Sequence, residues 1–350
     1  MAFPKPPENK SAIRRAGEAV AEGQATDDDL MLLDRWRGAH GFALNTFQAS
    51  LRRRIGAFSG PVDFVQRLKR RNTVFDKLRR KREDGVTPLV KDVTAMNDFA
   101  GCRLIFASVD DLNAFRSQMH AGFAEHQLRN EPDKYDYIEN PKGTGYRGIH
   151  DVYSHRPRSH RRGDTSNQPW QNLRVEIQYR TRAQNSWATA VELADIMDRE
   201  RTKFGHGEGD RGLFFRIASE IIARQHEGLT RAWPEKSLAQ LRAELAELES
   251  ELAIVNRLTA LRAHDGSDHL GRHNVFNIVR DECDPSGFRL EISVFKDPLV
   301  ALEAANEAES SLDSINAVYV RADNPAQLRA AYKNYFGDSV SFVELLRPPN

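Results

Sequence analysis

Cysteine is nearly absent from this chain of 350 residues, with only Cys102 and Cys283 present. That scarcity excludes a disulfide framework and a thiolate zinc cluster. No apolar run approaches the roughly 20 residues that cross a bilayer. The opening Met1-Ala2-Phe3-Pro4-Lys5-Pro6-Pro7 also lacks the apolar core of a secretion signal. A cytoplasmic protein with no membrane partner is the expectation. The Gly spacings of dinucleotide and P-loop sites are missing, so hydride transfer is not indicated. No Ser or Cys is placed with a His for covalent catalysis. Excess charge is lacking too: 51 basic and 50 acidic side chains nearly cancel. A uniformly basic coat is excluded, but local patches are not.

What is present reads as an α/β (α+β) chain of four parts: a helical region over 1–60, a central domain over 61–200, a helical connector over 201–265 and a small unit over 266–350. From Ser11 to Ser59 the pattern is helical, with an N-cap at Thr26 or Asp27 and a second run from Phe42 to Ile55. Val62–Arg82 carries nine basic residues between Arg67 and Arg82 against one acid, Asp76. Read as a helix, it sets Lys69, Lys77 and Arg80 close to one face, where phosphates would relieve their mutual repulsion. Cys102–Ala107 reads as a strand and Asp110–Phe123 as a helix. Later, Leu238, Leu241, Leu245, Leu248, Leu252 and Val255 form a heptad seam for another helix of this chain or of a partner. The last unit alternates strands (275–279, 288–295, 315–320) with helices (298–310, 325–335). It has no acidic or His cluster of catalytic spacing, so binding or regulation suits it better than catalysis.

The chemistry concentrates in the centre. Leu173–Arg180 alternates with period two, so Val175, Ile177 and Tyr179 face a core while Arg174, Glu176, Gln178 and Arg180 face the other way. Asp98, just ahead of a strand, is placed to hold a divalent metal, to orient a base or simply to form a turn. The Pro141-Lys142-Gly143-Thr144-Gly145 turn exposes its Lys and leads into a strand carrying Tyr146, Arg147 and His150. An aromatic there suits a base, with cations beside it for phosphate. Arg156–Trp170, with Arg156, Arg158, Arg161 and Arg162, reads as a hairpin insertion, either solubilising or a clamp for a polyanion. Phosphoryl or pyrophosphoryl transfer needs cations along the phosphates, a metal on carboxylates and a base for the attacking hydroxyl. Each need has a candidate here; donor and acceptor stay open.

Five motifs in order then carry a resemblance. Arg67-Leu68-Lys69 with Lys77, Asn97–Arg103, Tyr137-Ile138 with Pro141-Lys142 and Gly145–His150, Glu176–Thr181, and Trp187-Ala188 with Glu192 resemble the synthetase domain of RelA/SpoT alarmone enzymes over about residues 50 to 200. The resemblance implies a mixed five-stranded sheet flanked by helices that moves the β,γ-pyrophosphate of ATP to a ribose 3′-hydroxyl. It implies that Arg67, Lys69 and Lys77 grip ATP, with Arg80 or Arg103 as further candidates. Asp98 and Glu176 would hold Mg²⁺, Glu176 also acting as the base. Tyr146 would stack on the acceptor base, and Lys142, Arg147, His150, Gln178 and Arg180 would shape that side. The family's hydrolase domain has no counterpart, which makes this a small, synthetase-only type.

Two departures bear on the acceptor: Thr144 stands where the family has Asn, and Leu193 where it has His. They point away from GDP or GTP and towards the family's toxins that pyrophosphorylate the 3′ end of tRNA and stop translation. The basic stretches at 67–82 and 156–162 suit a tRNA backbone. Free guanosine or adenosine nucleotides as acceptors, and a non-catalytic RNA-binding protein, are the alternatives. Val320-Arg321-Ala322-Asp323 followed by Leu328–Phe336 resembles the fused antitoxin region of CapRel-type phage-defence proteins. That resemblance implies autoinhibition of the ATP site by Tyr332 and Tyr335 until a phage protein, for instance a capsid protein, is sensed. Oligomeric state is left open.

Overall fold

The computed structural model describes residues 3–69, 71–81, 85, 87–122, 126–157, 165–198, 209–260, 271–281, 283, 288–311, 314–321 and 338–348. The chain divides into two compact units, Met1–Asp136 with Ile149–Tyr179, and Tyr137–Gly148 with Arg180–Asn350.

The first unit opens with helices α1 (Lys10–Glu22) and α2 (Asp27–Ala57). Thr26 caps α2 reciprocally: its hydroxyl accepts from the Asp29 amide while the Asp29 carboxylate accepts from the Thr26 amide. The helix then runs unbroken to Ala57, so the two runs expected from sequence are one. Next come β1 (Val62–Leu68) and α3 (Arg71–Arg79), which corrects the reading of Val62–Arg82 as one helix. Charge density alone does not fix a helix here: Val62, Phe64 and Leu68 pair opposite Phe106, Leu104 and Ala100 of β2 (Ala100–Phe106), and sheet pairing decides the segment. Helix α4 (Val109–Gly122), then β3 (Gln127–Leu128), β4 (Ile149–Ser154) and β5 (Arg174–Thr181) follow. The five strands form a mixed sheet in the order β1-β2-β5-β4-β3.

One sheet face is the core. Val175, Ile177 and Tyr179 are fully buried, and Phe106 lies 6.5 Å from Tyr179 and 5.4 Å from Phe115 of α4. On the same face, buried Asp151 accepts from Arg116 and pairs with His120, both on α4. Phe47 of α2 packs 6.0 Å from Tyr153. Residues of opposite parity, Gly101, Arg103, His150, Glu176 and Gln178, are only half-buried. The alternation seen in the sequence of β5 therefore separates core from site.

The second unit holds α5 (Arg182–Asp198), α6 (Asp210–Ile222), a π-helical turn over Ala223–Glu227, α7 (Leu238–Leu252) and α8 (Ile254–Ala260). The heptad seam packs on this chain: Leu241 and Leu245 are buried with Phe214, Phe215 and Ile221 of α6 in one apolar cluster. It is not one continuous helix, because Ala253 takes φ 50° and ψ 33° between α7 and α8. Strands β6 (His273–Arg280), β7 (Phe288–Phe295) and β8 (Ser314–Arg321) form a sheet in the order β7-β6-β8. Helix α9 (Pro298–Ser310) packs on it through Ala301 and Ala305 against Val275. A last helix, α10 (Asp338–Leu346), buries Phe342 in the α6 cluster. The expected helix over 325–335 lies outside the described residues. Among the described residues, no helix is long and apolar enough to cross a membrane.

Candidate active site

The half-buried face of the first unit gathers the charged residues singled out from sequence. The β1/β2 register pairs Leu68 with Ala100, so the next residues outward, Lys69 and Phe99, also meet: the Lys69 amide donates to the Phe99 carbonyl at 2.7 Å. That extension brings the Lys69 side chain to Asp98. Lys77 arrives from α3, in the connection between the two strands. Both ammoniums donate to the same oxygen, Asp98 Oδ2, at 2.8 Å from Lys69 and 2.9 Å from Lys77. From α2, the Arg37 Nε donates to the Lys69 carbonyl at 2.6 Å, and His40 stacks on Phe99 at 4.8 Å. Helix α2 thus packs on Lys69 and on Phe99, the residue after Asp98.

The electrostatics follow from this packing. Burial pushes the Asp98 carboxyl up, but Lys69 and Lys77 beside it prevail and hold it below the ordinary carboxylate range. Burial likewise lowers Lys69, opposed by Asp98 and reinforced by Lys77. Asp98 keeps one buried oxygen, Oδ1, with no hydrogen-bond partner. Glu176 is the second carboxylate. Its Oε2 accepts from Gln178 Nε2 at 2.7 Å and its Oε1 faces His150 Nδ1 at 3.2 Å, two contacts set by the pairing of His150 with Gln178 across β4 and β5. Burial would raise this carboxyl, yet His150, Gln178 and Lys77 hold it well below its usual value. Glu176 also disfavours the charge on Asp98, so the two anions feel each other. Arg67, opposite Gly101 on β1, is exposed, while Arg103 on β2 and Arg80 just past α3 are half-buried.

An unpartnered buried carboxylate oxygen next to a second carboxylate suits Mg²⁺, which commonly takes one or two carboxylates and completes its shell with water and substrate phosphates. Among the described residues no group of three or more His, Cys, Asp or Glu could form a dedicated metal cage. Asp98 and Glu176 are the two carboxylates of this face that could hold such an ion.

The remaining expected site residues lie in the second unit. Tyr146 and Arg147 precede β4 instead of lying within it, in a loop closed by the Tyr137 amide on the Gly148 carbonyl at 3.0 Å. Tyr146 is only 4% exposed. Exposed Lys142 sets its ammonium 5.1 Å from the Tyr146 ring and 4.3 Å from the Tyr137 ring, and the Arg180 Nη2 donates to the Tyr146 hydroxyl at 3.1 Å. The ring face is thus covered by a cation on a flexible stem. Arg147, also 4% exposed, sits between Glu220 and Glu227 at 3.2 Å each. Those two glutamates, 73 and 80 residues away, left no local signal in the sequence. Leu193 is buried in the apolar cluster. Arg158, Arg161, Arg162, Tyr332 and Tyr335 lie outside the described residues.

With this geometry in hand, the chain can be set beside known proteins. Residues 66–197 match the family described as a region found in RelA / SpoT proteins. Over 130 residues the chain is 34% identical to the GTP pyrophosphokinase YjbM of Bacillus subtilis, covering 37% of this chain and 54% of the relative, so it spans about half that relative's length. Small alarmone synthetase 1 of Bacillus subtilis, in a structure bound to its product pppGpp, is 21% identical with a TM-score of 0.43, covering 63% of this chain and 98% of that one. Small alarmone synthetase 2 of the same organism is 20% identical with a TM-score of 0.39, covering 55% and 90%.

Proposed function

We propose that the chain is a RelA/SpoT-type pyrophosphokinase that uses ATP as donor. The observation that carries this reading is Asp98 held between Lys69 and Lys77, beside a Glu176 kept anionic by His150 and Gln178. Lys69 and Lys77, with Arg67, Arg103 and Arg80 around them, bind the triphosphate. Their pairing with Asp98 fixes the ammoniums before substrate arrives, which is the preorganisation that electrostatic catalysis requires. Asp98 and Glu176 would hold Mg²⁺, which would neutralise charge developing on the phosphate oxygens. A ribose 3′-oxygen attacks the β-phosphorus, a new P–O bond forms, the bond to the α-phosphate oxygen breaks, and AMP leaves with that electron pair. The hydroxyl proton passes to Glu176. A carboxylate with a depressed pKa is a weak base, but it suffices when the proton leaves late, after bond formation has acidified the hydroxyl.

For the acceptor, the tRNA 3′ end is supported by Thr144 and Leu193 at the two altered positions and by exposed Arg67, Arg71, Arg79 and Lys81 on β1, α3 and the segment after it. Such charge suits a phosphate backbone. On this reading the chain is a toxin that inhibits translation in the cytoplasm, restrained by Tyr332 and Tyr335 and released by a phage protein such as a capsid protein. A free guanosine or adenosine nucleotide is the second reading, supported by the name of the GTP pyrophosphokinase relative. Incubating ATP labelled in its terminal phosphates with deacylated tRNA, GDP, GTP, ADP or AMP decides by which acceptor gains label. Growth arrest and ATP binding left unchanged by Tyr332→Ala would remove the autoinhibition.

A further inference from the structure

Glu220 and Glu227 lie seven residues apart, a rise of ~10 Å along an ordinary α-helix. In the second unit they nonetheless converge on one guanidinium, Glu220 on Arg147 Nη2 and Glu227 on Arg147 Nη1, each at 3.2 Å. The helix does not continue as α between them: after Ile222 the chain widens into the π-helical turn Ala223–Glu227, closed by Gly228 at φ 66°. Single π turns inside helices often mark functional positions. Here the turn aims three consecutive side chains at two targets.

Glu227 faces the segments that flank the acceptor side. Besides Arg147, its Oε1 accepts from the Thr181 hydroxyl at 2.5 Å and from Gln184 Nε2 at 2.9 Å. Thr181 directly follows Arg180, whose guanidinium binds the Tyr146 hydroxyl. Gln225 and His226 face α10: Gln225 Nε2 donates to the Arg347 carbonyl at 2.5 Å, and His226 Nε2 donates to the Leu345 carbonyl at 2.9 Å. One turn earlier, the Ser219 hydroxyl donates to the Gly145 carbonyl at 2.6 Å, and a Cβ at Gly145 would lie 3.0 Å from the Arg216 Cα. The loop 137–148 is therefore seated on α6 and its π turn, both of which lie beyond the 66–197 family match.

We propose that Glu227 is a positioning residue for the acceptor loop, and that the π turn couples this loop to the C-terminal helix α10. Arg147, on this view, does not grip the acceptor. It anchors the loop that carries exposed Lys142 and buried Tyr146, and Glu227 is the group that holds it in register with Arg180. Because Gln225 and His226 belong to the same five-residue turn, loss of their bonds to the end of α10 loosens Glu227 as well. The link to the acceptor rests on the pyrophosphokinase reading; the coupling between α10 and the loop does not.

The test uses the full chain as wild type, Glu227→Gln, and Gln225→Ala combined with His226→Ala. Hydrogen exchange needs no activity and reads the loop directly through the amides of Tyr137, Lys142 and Gly145, each hydrogen-bonded within it. Both variants are expected to speed exchange there about tenfold or more, while β4 and β5 stay as protected as in wild type. In transfer assays both should raise KM for the acceptor and leave KM for ATP unchanged, a split that general destabilisation does not produce. Loop protection unchanged in either folded variant overturns the proposal. If Glu227→Gln does not fold, the Gln225/His226 variant decides alone. Absence of transfer in every protein, with Tyr332→Ala and Tyr335→Ala also introduced to lift the restraint, would strike the enzymatic reading, while the exchange result would still judge the coupling.

Discussion

Replacing Asp98 by Asn removes one charge and leaves two ammoniums facing each other. Asp98 Oδ2 accepts from Lys69, 7% exposed, and from Lys77, 27% exposed, while Asp98 itself is 22% exposed. Taking one partner from a fully buried pair costs about 3–5 kcal/mol, because a charge is left uncompensated. Water reaches this cluster in part, so about 2–3 kcal/mol is the expected loss. It should appear as a lower urea midpoint with an unchanged slope. The sign with pH is fixed by the direction of the shift. Asp98 is depressed in the fold, so its contribution is complete above the ordinary carboxyl pKa of ~3.9 and is lost as pH falls through its lower folded value. The gap between wild type and Asp98→Asn should therefore be level from about pH 7 to 5 and close below about pH 4. The same variant should lose Mg²⁺-dependent ATP binding by calorimetry. Equal midpoints at pH 7, or a gap that widens on acidification, would refute the reasoning.

Other outcomes follow from backbone geometry and packing. Gly145→Ala puts a Cβ 3.0 Å from the Arg216 Cα at φ 88°, and should cost roughly 1–3 kcal/mol; a melting temperature unchanged from wild type would contradict this. Ala253→Gly relieves a left-handed residue at the end of α7 and should add about 1 kcal/mol by urea unfolding. Tyr146→Ala removes a ring from the cluster of Trp187 and Phe215 and should cost about 3–5 kcal/mol. Phe at 146 should retain most of that stability, since the ring stays and the hydroxyl that accepts from Arg180 goes.

Local pattern made some of this legible. Period-two alternation placed Val175, Ile177 and Tyr179 inside and Glu176 and Gln178 on the site face. Thr26, one of the two N-cap candidates, caps α2, and the reciprocal partner Asp29 emerged only from the structure. Where partners are distant the pattern failed. Val62–Leu68 is a strand because β2 pairs with it, and the basic run that begins at Arg67 gave no hint of that. Lys69 and Lys77 do converge, but through a strand end and a helix meeting at Asp98, not along one helical face. Arg147 reads as a ligand in a Gly-rich turn, and its partners Glu220 and Glu227 lie too far along the chain for local pattern to show them. The seam from Leu238 to Val255 reads as one helix by spacing, and the left-handed Ala253 that breaks it carries no Gly signal.

The central claim is pyrophosphate transfer through Glu176. Its most direct test compares the chain with its Glu176→Gln variant, each with and without Tyr332→Ala and Tyr335→Ala, using ATP labelled in its terminal phosphates and the acceptors named above. The Gln side chain can still meet Gln178, so the fold should hold within about 1–2 kcal/mol. Label on one acceptor is expected from the Glu176 chain, with a loss of at least ~100-fold in the variant. Label on no acceptor from any chain, or full transfer by a folded Glu176→Gln protein, would contradict it.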